Sequence, residues 1–166
     1  MVTVYVWEFR GSGAAWGHAS LKAVGGAPAG IAYVSWWPAV SPRTPKYPSA
    51  PTPLNQIYSA PAIQRRRLED DIRDEGMKPD HQILIHGLDE AAIKMWWSGF
   101  QTGANQWRTL SQNCSTTVGQ ALKAGGGDKY AKGFTGWWDS WNCVWTPNDV
   151  LRFAQAISHG TPQKTK

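Results

Sequence analysis

The first part of the chain alternates apolar and polar positions with the two-residue period of β-strands. Residues 2–9, 17–24 and 30–37 follow this pattern and are rich in β-branched or aromatic side chains. The stretch GGAPAG at 25–30 is typical of a hairpin turn. We therefore expect three strands, the second and third of which pair as a hairpin.

The rest of the chain follows a mostly helical pattern. Helices are predicted over 62–74, 89–100, from Cys114 to about Lys123, and over 147–158, with a short strand over 81–87. Glycines at 125–127 end the third helix, while Thr146 and Pro147 have the residue types that begin the last one. The pattern predicts one α+β domain over residues 1–159 and a flexible tail over 160–166.

Residues 38–53 hold six of the chain's eleven prolines. Such a stretch cannot be a central strand or a helix interior, because proline lacks a backbone donor. A loop of this length in a small domain is often functional, as a lid or a binding edge. A solvated linker is the alternative.

The net charge of +5 favours an anionic partner, such as lipid headgroups or a cell-wall polymer, although solubility alone also explains it. The densest charged run, QRRRLEDDIRDE at 64–75, sets arginines one helical turn before acidic residues. We interpret this run as a solvated helix face and expect no nucleic-acid partner. The two cysteines and four histidines lack the spacing of zinc ligands, so we expect no metal and no cofactor.

The N-terminal sequence MVTVYVWEF has no basic segment followed by a long apolar core, and no apolar run approaches 18 residues. We therefore expect a protein that is made in the cytoplasm without a signal peptide or a membrane span.

Tryptophan is unusually frequent, with eleven copies. Six of them form doublets, and neighbouring side chains point in different directions, so one member of a doublet can be exposed. Exposed indoles near positive charge are typical of surfaces that meet a membrane or stack on a sugar, whereas core packing is the alternative. The candidate substrate or interface aromatics are Trp36, Trp37, Trp137 and Trp138.

Cys114 begins a predicted helix in the sequence QNCSTT. The positive end of the helix dipole lowers the pKa of a thiol at that position, which makes it a candidate nucleophile. Its own backbone N–H, helped by Asn113 or Gln112, could stabilise an oxyanion. Two alternatives remain, a small buried apolar residue and a disulfide with Cys143.

His18 is the best placed of the four histidines to act as a base, because it begins a strand directly after Gly17. The next strand carries Ser35, a polar residue in an apolar run. A cysteine on a helix, a histidine on a strand and a polar residue that orients the histidine are what nucleophilic acyl transfer requires.

The segments WGHASL, YVSWWP and NCSTTVGQAL, in this order, resemble the circularly permuted NlpC/P60 group of the papain-like superfamily. The NC pair is also similar to the lecithin:retinol acyltransferase branch. The resemblance covers residues 3 to about 124. It implies a small antiparallel sheet packed against the nucleophile helix, with Cys114 as nucleophile, His18 as base, and Ser35 or Tyr33 in the third position. That position is more often His, Asn, Gln or Glu.

The resemblance also implies a thiol hydrolase similar to toxins that bacterial secretion systems deliver into the envelope of a target cell. The tryptophans and the charge favour phospholipid acyl esters as substrate, as in a phospholipase A. Amide bonds of peptidoglycan are the alternative, and a non-catalytic module that binds the cell envelope is a second one. We expect a monomer whose activity is neutralised by an immunity protein, with the 38–53 loop as its contact.

Overall fold

The computed structural model describes residues 1–9, 17–39, 59–103, 106–131, 133, 137, 141 and 144–161. Nearly all of the predicted 38–53 loop lies outside the described residues. Cys143, Trp138 and the tail from residue 162 onward lie outside them as well. The predictions made for a lid and for one of the interface tryptophans therefore stay predictions. Cys114 carries a free thiol, so the alternative of a disulfide between Cys114 and Cys143 is wrong.

The described part of the chain is α+β, with seven strands in two small antiparallel sheets and four α-helices. In chain order these elements are β1 (Val2–Trp7), β2 (His18–Val24), β3 (Ile31–Val34), β4 (Trp36–Pro38), β5 (Ser59–Gln64), α1 (Leu68–Glu75), β6 (His81–Ile85), α2 (Glu90–Gly103), β7 (Gln106–Arg108), α3 (Cys114–Ala124) and α4 (Pro147–Gly160).

The larger sheet has the strand order β3-β2-β1-β6. The predicted hairpin is confirmed, since β2 and β3 pair in antiparallel register with Leu21 opposite Val34. On the other side of β2, His18 lies opposite Trp7 of β1. The first residue of β2 therefore lies at the end of two adjacent strands, next to a large aromatic side chain.

The predicted third strand is divided in the structure. β3 ends at Val34 and pairs with β2, whereas β4 begins at Trp36 and pairs with β5 in the smaller sheet. Ser35 lies between the two strands and is fully buried. The chain thus changes sheets at this residue, which brings the serine to the place where the two sheets meet.

The predicted helix over 62–74 is wrong in its first part. The chain forms β5 up to Gln64, and α1 begins only at Leu68. β5 pairs with β4 on one side and with β7 on the other, where Ala60 lies opposite Trp107. Backbone bonding on both edges of the strand overrides the local helical pattern, as tertiary context often does.

The two faces of the larger sheet pack against different helices. The face with Val4, Val6 and Leu21 belongs to the main core, which also holds buried residues of α2, α3 and α4. The opposite face carries a smaller cluster of Tyr5, Trp7 and Tyr33 packed against Leu68 and Ile72 of α1. The sheet is therefore covered on both sides, and among the described helices α1 packs on the second side.

No helix in the described residues is long and apolar enough to cross a lipid bilayer.

Candidate active site

The first turn of α3 is held in place by Asn113, the N-cap residue. Its side-chain oxygen accepts the Thr116 N–H at 2.7 Å. Its side-chain nitrogen donates to the backbone oxygen of Thr109 at 2.7 Å and to that of Trp145 at 3.0 Å. These two bonds use both amide hydrogens, so in this structure Asn113 positions the helix and has no hydrogen left to donate to an oxyanion.

Gln112, the other predicted oxyanion donor, is bonded away from the first turn. Its side-chain nitrogen donates to the backbone oxygen of Gln106 at 2.8 Å, and its backbone exchanges two hydrogen bonds with Arg108. Gln112 therefore ties the segment before α3 to β7.

Cys114 is the first residue of α3 and is partly exposed. Its thiol lies near the side chain of His18 and the backbone of Ala19, both at the start of β2, and these two groups lower its pKa. The structure thus brings the predicted nucleophile and the predicted base together from a helix and a strand 96 positions apart in the sequence.

The imidazole of His18 is buried and enclosed by two indole rings. The Trp37 ring stacks on it with 4.2 Å between centroids, and the Trp7 ring lies at 5.5 Å. Nε2 of His18 lies 3.3 Å from the Ser35 hydroxyl and 3.4 Å from a carboxylate oxygen of Asp71. Packing and polar contacts both restrict the orientation of the ring.

Asp71 is the residue of this site that the sequence analysis missed, because the charged run that contains it was interpreted as a solvated face. The side chain is in fact fully buried. Its oxygens accept the Tyr33 hydroxyl at 2.6 Å, the Ser35 hydroxyl at 2.7 Å and the Trp37 indole N–H at 2.9 Å. A carboxylate therefore lies in the third position, and the predicted candidates Ser35 and Tyr33 both donate to it.

A signal for Asp71 was present in the sequence. Residues three and four apart share one face of a helix, and Leu68, Asp71 and Ile72 have this spacing. The two apolar residues pack against the sheet, so the aspartate between them must also face inward. Its neighbour Asp70 lies about 100° away around the helix and pairs with Arg67 and Arg73.

The charges of the three groups reinforce one another. Burial alone lowers the pKa of His18, but the charges of Asp71 and Cys114 outweigh it and raise that pKa to about 10. Burial raises the pKa of Asp71, yet the charge of His18 and the hydrogen bonds lower it to about 2. Burial also raises the pKa of Cys114, and His18 again outweighs it, so the thiol ionises below its ordinary value.

These directions favour a thiolate on Cys114, an imidazolium on His18 and a carboxylate on Asp71. Tyr33 stays protonated beside them, because burial and the charge of Asp71 raise its pKa. A thiolate is the nucleophilic form of cysteine, and an imidazolium can return a proton to a leaving group. The arrangement therefore has the groups that acyl transfer through cysteine requires.

The predicted interface aromatics lie in different environments. Trp36 is buried in the core against Trp97 and Phe100, so its prediction as a surface residue is wrong. Trp37 is partly buried and belongs to the site itself. Trp137 is 55% exposed.

In the part of the chain that the structure describes, no group of three or more His, Cys, Asp or Glu side chains is placed to hold a metal ion.

The fold and the site together define an α+β protein in which a buried histidine contacts an aspartate and influences a cysteine at the start of a helix. The chain belongs to the family described as the IcsB middle domain, whose pattern it matches over residues 55–164. The matched range contains Asp71 and Cys114 and begins after His18.

Two bacterial toxins contain a similar segment. The multifunctional-autoprocessing repeats-in-toxin proteins of Vibrio vulnificus and of Vibrio cholerae serotype O1 are each 39% identical to this chain over 77 residues, which is 46% of the chain. The match covers 1% and 2% of the length of these two proteins. No solved structure matches.

Proposed function

We propose that this chain is a cysteine-dependent acyl hydrolase domain of a secreted toxin or effector. The observation that carries the proposal is the buried contact of Asp71 with His18, whose charge in turn lowers the pKa of the Cys114 thiol. The similarity to segments of two bacterial toxins supports the toxin part of the proposal and delivery by a secretion system. The fold that we propose is the permuted papain-like one, in which the histidine strand precedes the nucleophile helix.

In the proposed reaction, the Cys114 thiolate attacks the carbonyl carbon of an acyl ester. The carbon–oxygen bond of the ester breaks, and the His18 imidazolium gives its proton to the departing alcohol, leaving a thioester on Cys114. His18 then accepts a proton from water as that water attacks the thioester, which releases the acid and restores the thiolate–imidazolium pair. Asp71 keeps the imidazole oriented and stabilises its charged form throughout.

The first turn of α3 offers donors for the oxyanion. The first amides of a helix have no acceptor inside the helix, and the Asn113 side chain takes up only the N–H of Thr116. The backbone N–H groups of Cys114 and Ser115 are therefore the donors that we propose.

A lipid acyl group is the substrate that the surface near the first turn supports. The Asn113 side chain donates to the backbone oxygens of Thr109 and Trp145, which holds both residues against this turn. Leu110 follows Thr109 in the sequence and Val144 precedes Trp145, so both lie close to the turn. Leu110 is 39% exposed and Val144 is 43% exposed. Trp141, three residues before Val144, is exposed as well. Exposed apolar side chains on a protein with a charge of +5 suit an anionic membrane surface.

The proposal is tested by incubating the protein with phospholipid vesicles and, separately, with purified peptidoglycan. We expect the wild type to release fatty acid from the vesicles, and Cys114→Ala to release none above background. The matched control is Cys143→Ser, which removes the other thiol and should retain the activity of the wild type. Mass spectrometry should find an acyl group on Cys114 when the reaction is stopped early.

The other outcomes separate the alternatives. Release of muropeptides without fatty acid would show a peptidoglycan amidase with the same residues. An acyl group that leaves the vesicles and is recovered on an added amine would show transfer instead of hydrolysis. Binding to either material without any acyl-enzyme would reject the enzyme and leave a binding module.

A further inference from the structure

A cavity of about 420 Å³ lies along the outer edge of β3. Its walls are the turn between β2 and β3, β3 itself, the segment between β5 and α1, and α2. The lining includes Gly30, Tyr33, Arg65, Arg66, Lys94 and Gln101. Tyr33, which donates to Asp71, borders both places, but Cys114, His18 and Asp71 do not line the cavity, so it is distinct from the proposed acyl site.

Lys94 places a buried positive charge in the wall of this cavity. The side chain is 6% exposed, and its Nζ donates to the backbone oxygens of Gly26 at 3.2 Å, Pro28 at 2.8 Å and Gly30 at 2.7 Å. Three donated bonds identify the group as an ammonium. Among the described residues no carboxylate pairs with it, so the carbonyl dipoles solvate the charge without neutralising it.

Two arginines line the same cavity and differ in their partners. The guanidinium of Arg65 is neutralised by Asp74, with 2.5 Å between Nε and Oδ2. Arg66 is exposed, and its guanidinium has no carboxylate partner within the described ranges. Because no Asp or Glu among the described residues lines the cavity, Arg66 and Lys94 give it two positive charges that no described carboxylate compensates.

We propose that this cavity is a second site, which binds the phosphate group of a small molecule or of a lipid headgroup. Two uncompensated cations match a dianion better than a single carboxylate. The planar guanidinium of Arg66 is free to donate two hydrogen bonds to phosphate oxygens, whereas Lys94 acts through its charge because its hydrogens are already used. Ligand cavities commonly have volumes of roughly 300 to 1,000 Å³, so the volume suits a small phosphorylated molecule.

The proposal goes beyond the acyl chemistry of Cys114 and is tested by binding alone. Inorganic pyrophosphate, measured by calorimetry, is the soluble probe, and phosphatidylcholine vesicles with and without phosphatidic acid are the membrane probe. The informative variant is Arg66→Ala. The matched control is Arg67→Ala, because Arg67 is the next residue, pairs with Asp70 and does not line the cavity.

We expect wild type to bind at least one of the two phosphate probes. Arg66→Ala should raise the dissociation constant about tenfold, as expected for the loss of charged hydrogen bonds. Arg67→Ala should change it by less than about twofold, because an exposed pair contributes little. Protein alkylated at Cys114 should bind as the unmodified protein does, which separates this site from the acyl site.

Binding of pyrophosphate alone would identify a soluble ligand. Binding only of vesicles that contain phosphatidic acid would identify a lipid headgroup. The proposal is overturned if neither probe binds, if the two variants bind equally well, or if alkylation of Cys114 abolishes binding. Circular dichroism of both variants would show that each remains folded.

Discussion

At the scale of single residues, Asp71 is the group that joins the two halves of the candidate site. Its carboxylate accepts hydrogen bonds from Tyr33, Ser35 and Trp37, and its charge stabilises the imidazolium of His18. Since three of these partners come from the segment where the chain changes sheets, α1 and that segment jointly set the position of the imidazole. The imidazolium in turn keeps the Cys114 thiol ionised.

Asp71→Asn tests this role. The amide keeps the size of the side chain but removes the charge, and its NH₂ group faces donors that need an acceptor. We expect acyl-enzyme formation to slow by about a hundredfold or more. We also expect the pH midpoint of Cys114 alkylation by iodoacetamide to rise, because the imidazolium loses its carboxylate partner.

Asp70→Asn is the matched control, because Asp70 lies one position earlier on the same helix and pairs only with surface arginines among the described residues. It should leave both the rate and the midpoint unchanged. An equal effect of the two substitutions would mean that Asp71 acts only on the stability of α1.

The residue types explain how much of this site could be predicted. The local sequence was enough to predict Cys114 at the start of a helix, His18 at the start of a strand and the polar Ser35 within an apolar strand. Asp71 lies in a run where its charged neighbours mask the apolar spacing of Leu68 and Ile72. The local sequence also could not show that Trp37 faces the imidazole while Trp36 enters the core, because a β-strand is compatible with either tryptophan on either face.

At the scale of elements, α3 is the helix on which the proposed reaction depends. Its first turn is capped by Asn113, and its next turn passes directly under the Trp145 ring at Gly119. A Cβ built on Gly119 would lie 2.9 Å from two atoms of that indole, closer than real contacts allow. The glycine therefore permits the close approach of Trp145 to α3.

Gly119→Ala should destabilise the protein by about 1 to 3 kcal/mol, because the overpacking outweighs the better helix propensity of alanine. The control is Gly99→Ala in α2, where nothing lies within 4 Å of the added Cβ. That change should stabilise the protein by up to about 1 kcal/mol. Urea unfolding followed by tryptophan fluorescence measures both, and equal effects would show that Trp145 does not constrain α3.

The elements that could be predicted are those whose local pattern agrees with their packing. β1, β2, α2, α3 and α4 each have one continuous pattern and form near the predicted residues. The division of the predicted third strand at Ser35 depends on the pairing of β4 with β5, and β5 in turn pairs with β7, which is more than 40 residues away along the chain. No local pattern contains this pairing.

At the scale of the whole molecule, the shifted pKa values of Cys114, His18 and Asp71 make the stability of the fold depend on pH. The unfolded chain has ordinary pKa values, whereas folding raises that of His18 from 6.5 to about 10 and lowers that of Cys114 from 9.0. Between these ordinary values the folded imidazole keeps its proton, whereas the unfolded imidazole loses it. The raised pKa of His18 therefore makes the free energy of unfolding fall as the pH rises above about 6.5, and the lowered pKa of Cys114 opposes this fall below about pH 9.

Above about pH 9 the unfolded thiol ionises while the folded imidazole keeps its proton, so stability falls as the pH rises toward 10. Below about pH 6.5 the histidine is protonated in both states, and stability falls as the pH falls through the lowered pKa of the folded Cys114 thiol.

Asp71 further lowers the stability of the folded protein at acid pH, and the Asp71→Asn variant tests this pH dependence. Folding lowers its pKa from 3.8 to about 2, so the buried carboxylate contributes about 2 kcal/mol above pH 4 that is lost as the pH falls toward 2. Urea unfolding across the pH range should show this decline in wild type and in Asp70→Asn. Asp71→Asn should be less stable than wild type at neutral pH and should decline less below about pH 4. If its acid decline matched that of the wild type, Asp71 would not carry its charge in the folded protein, and the imidazolium would need another source of stabilisation.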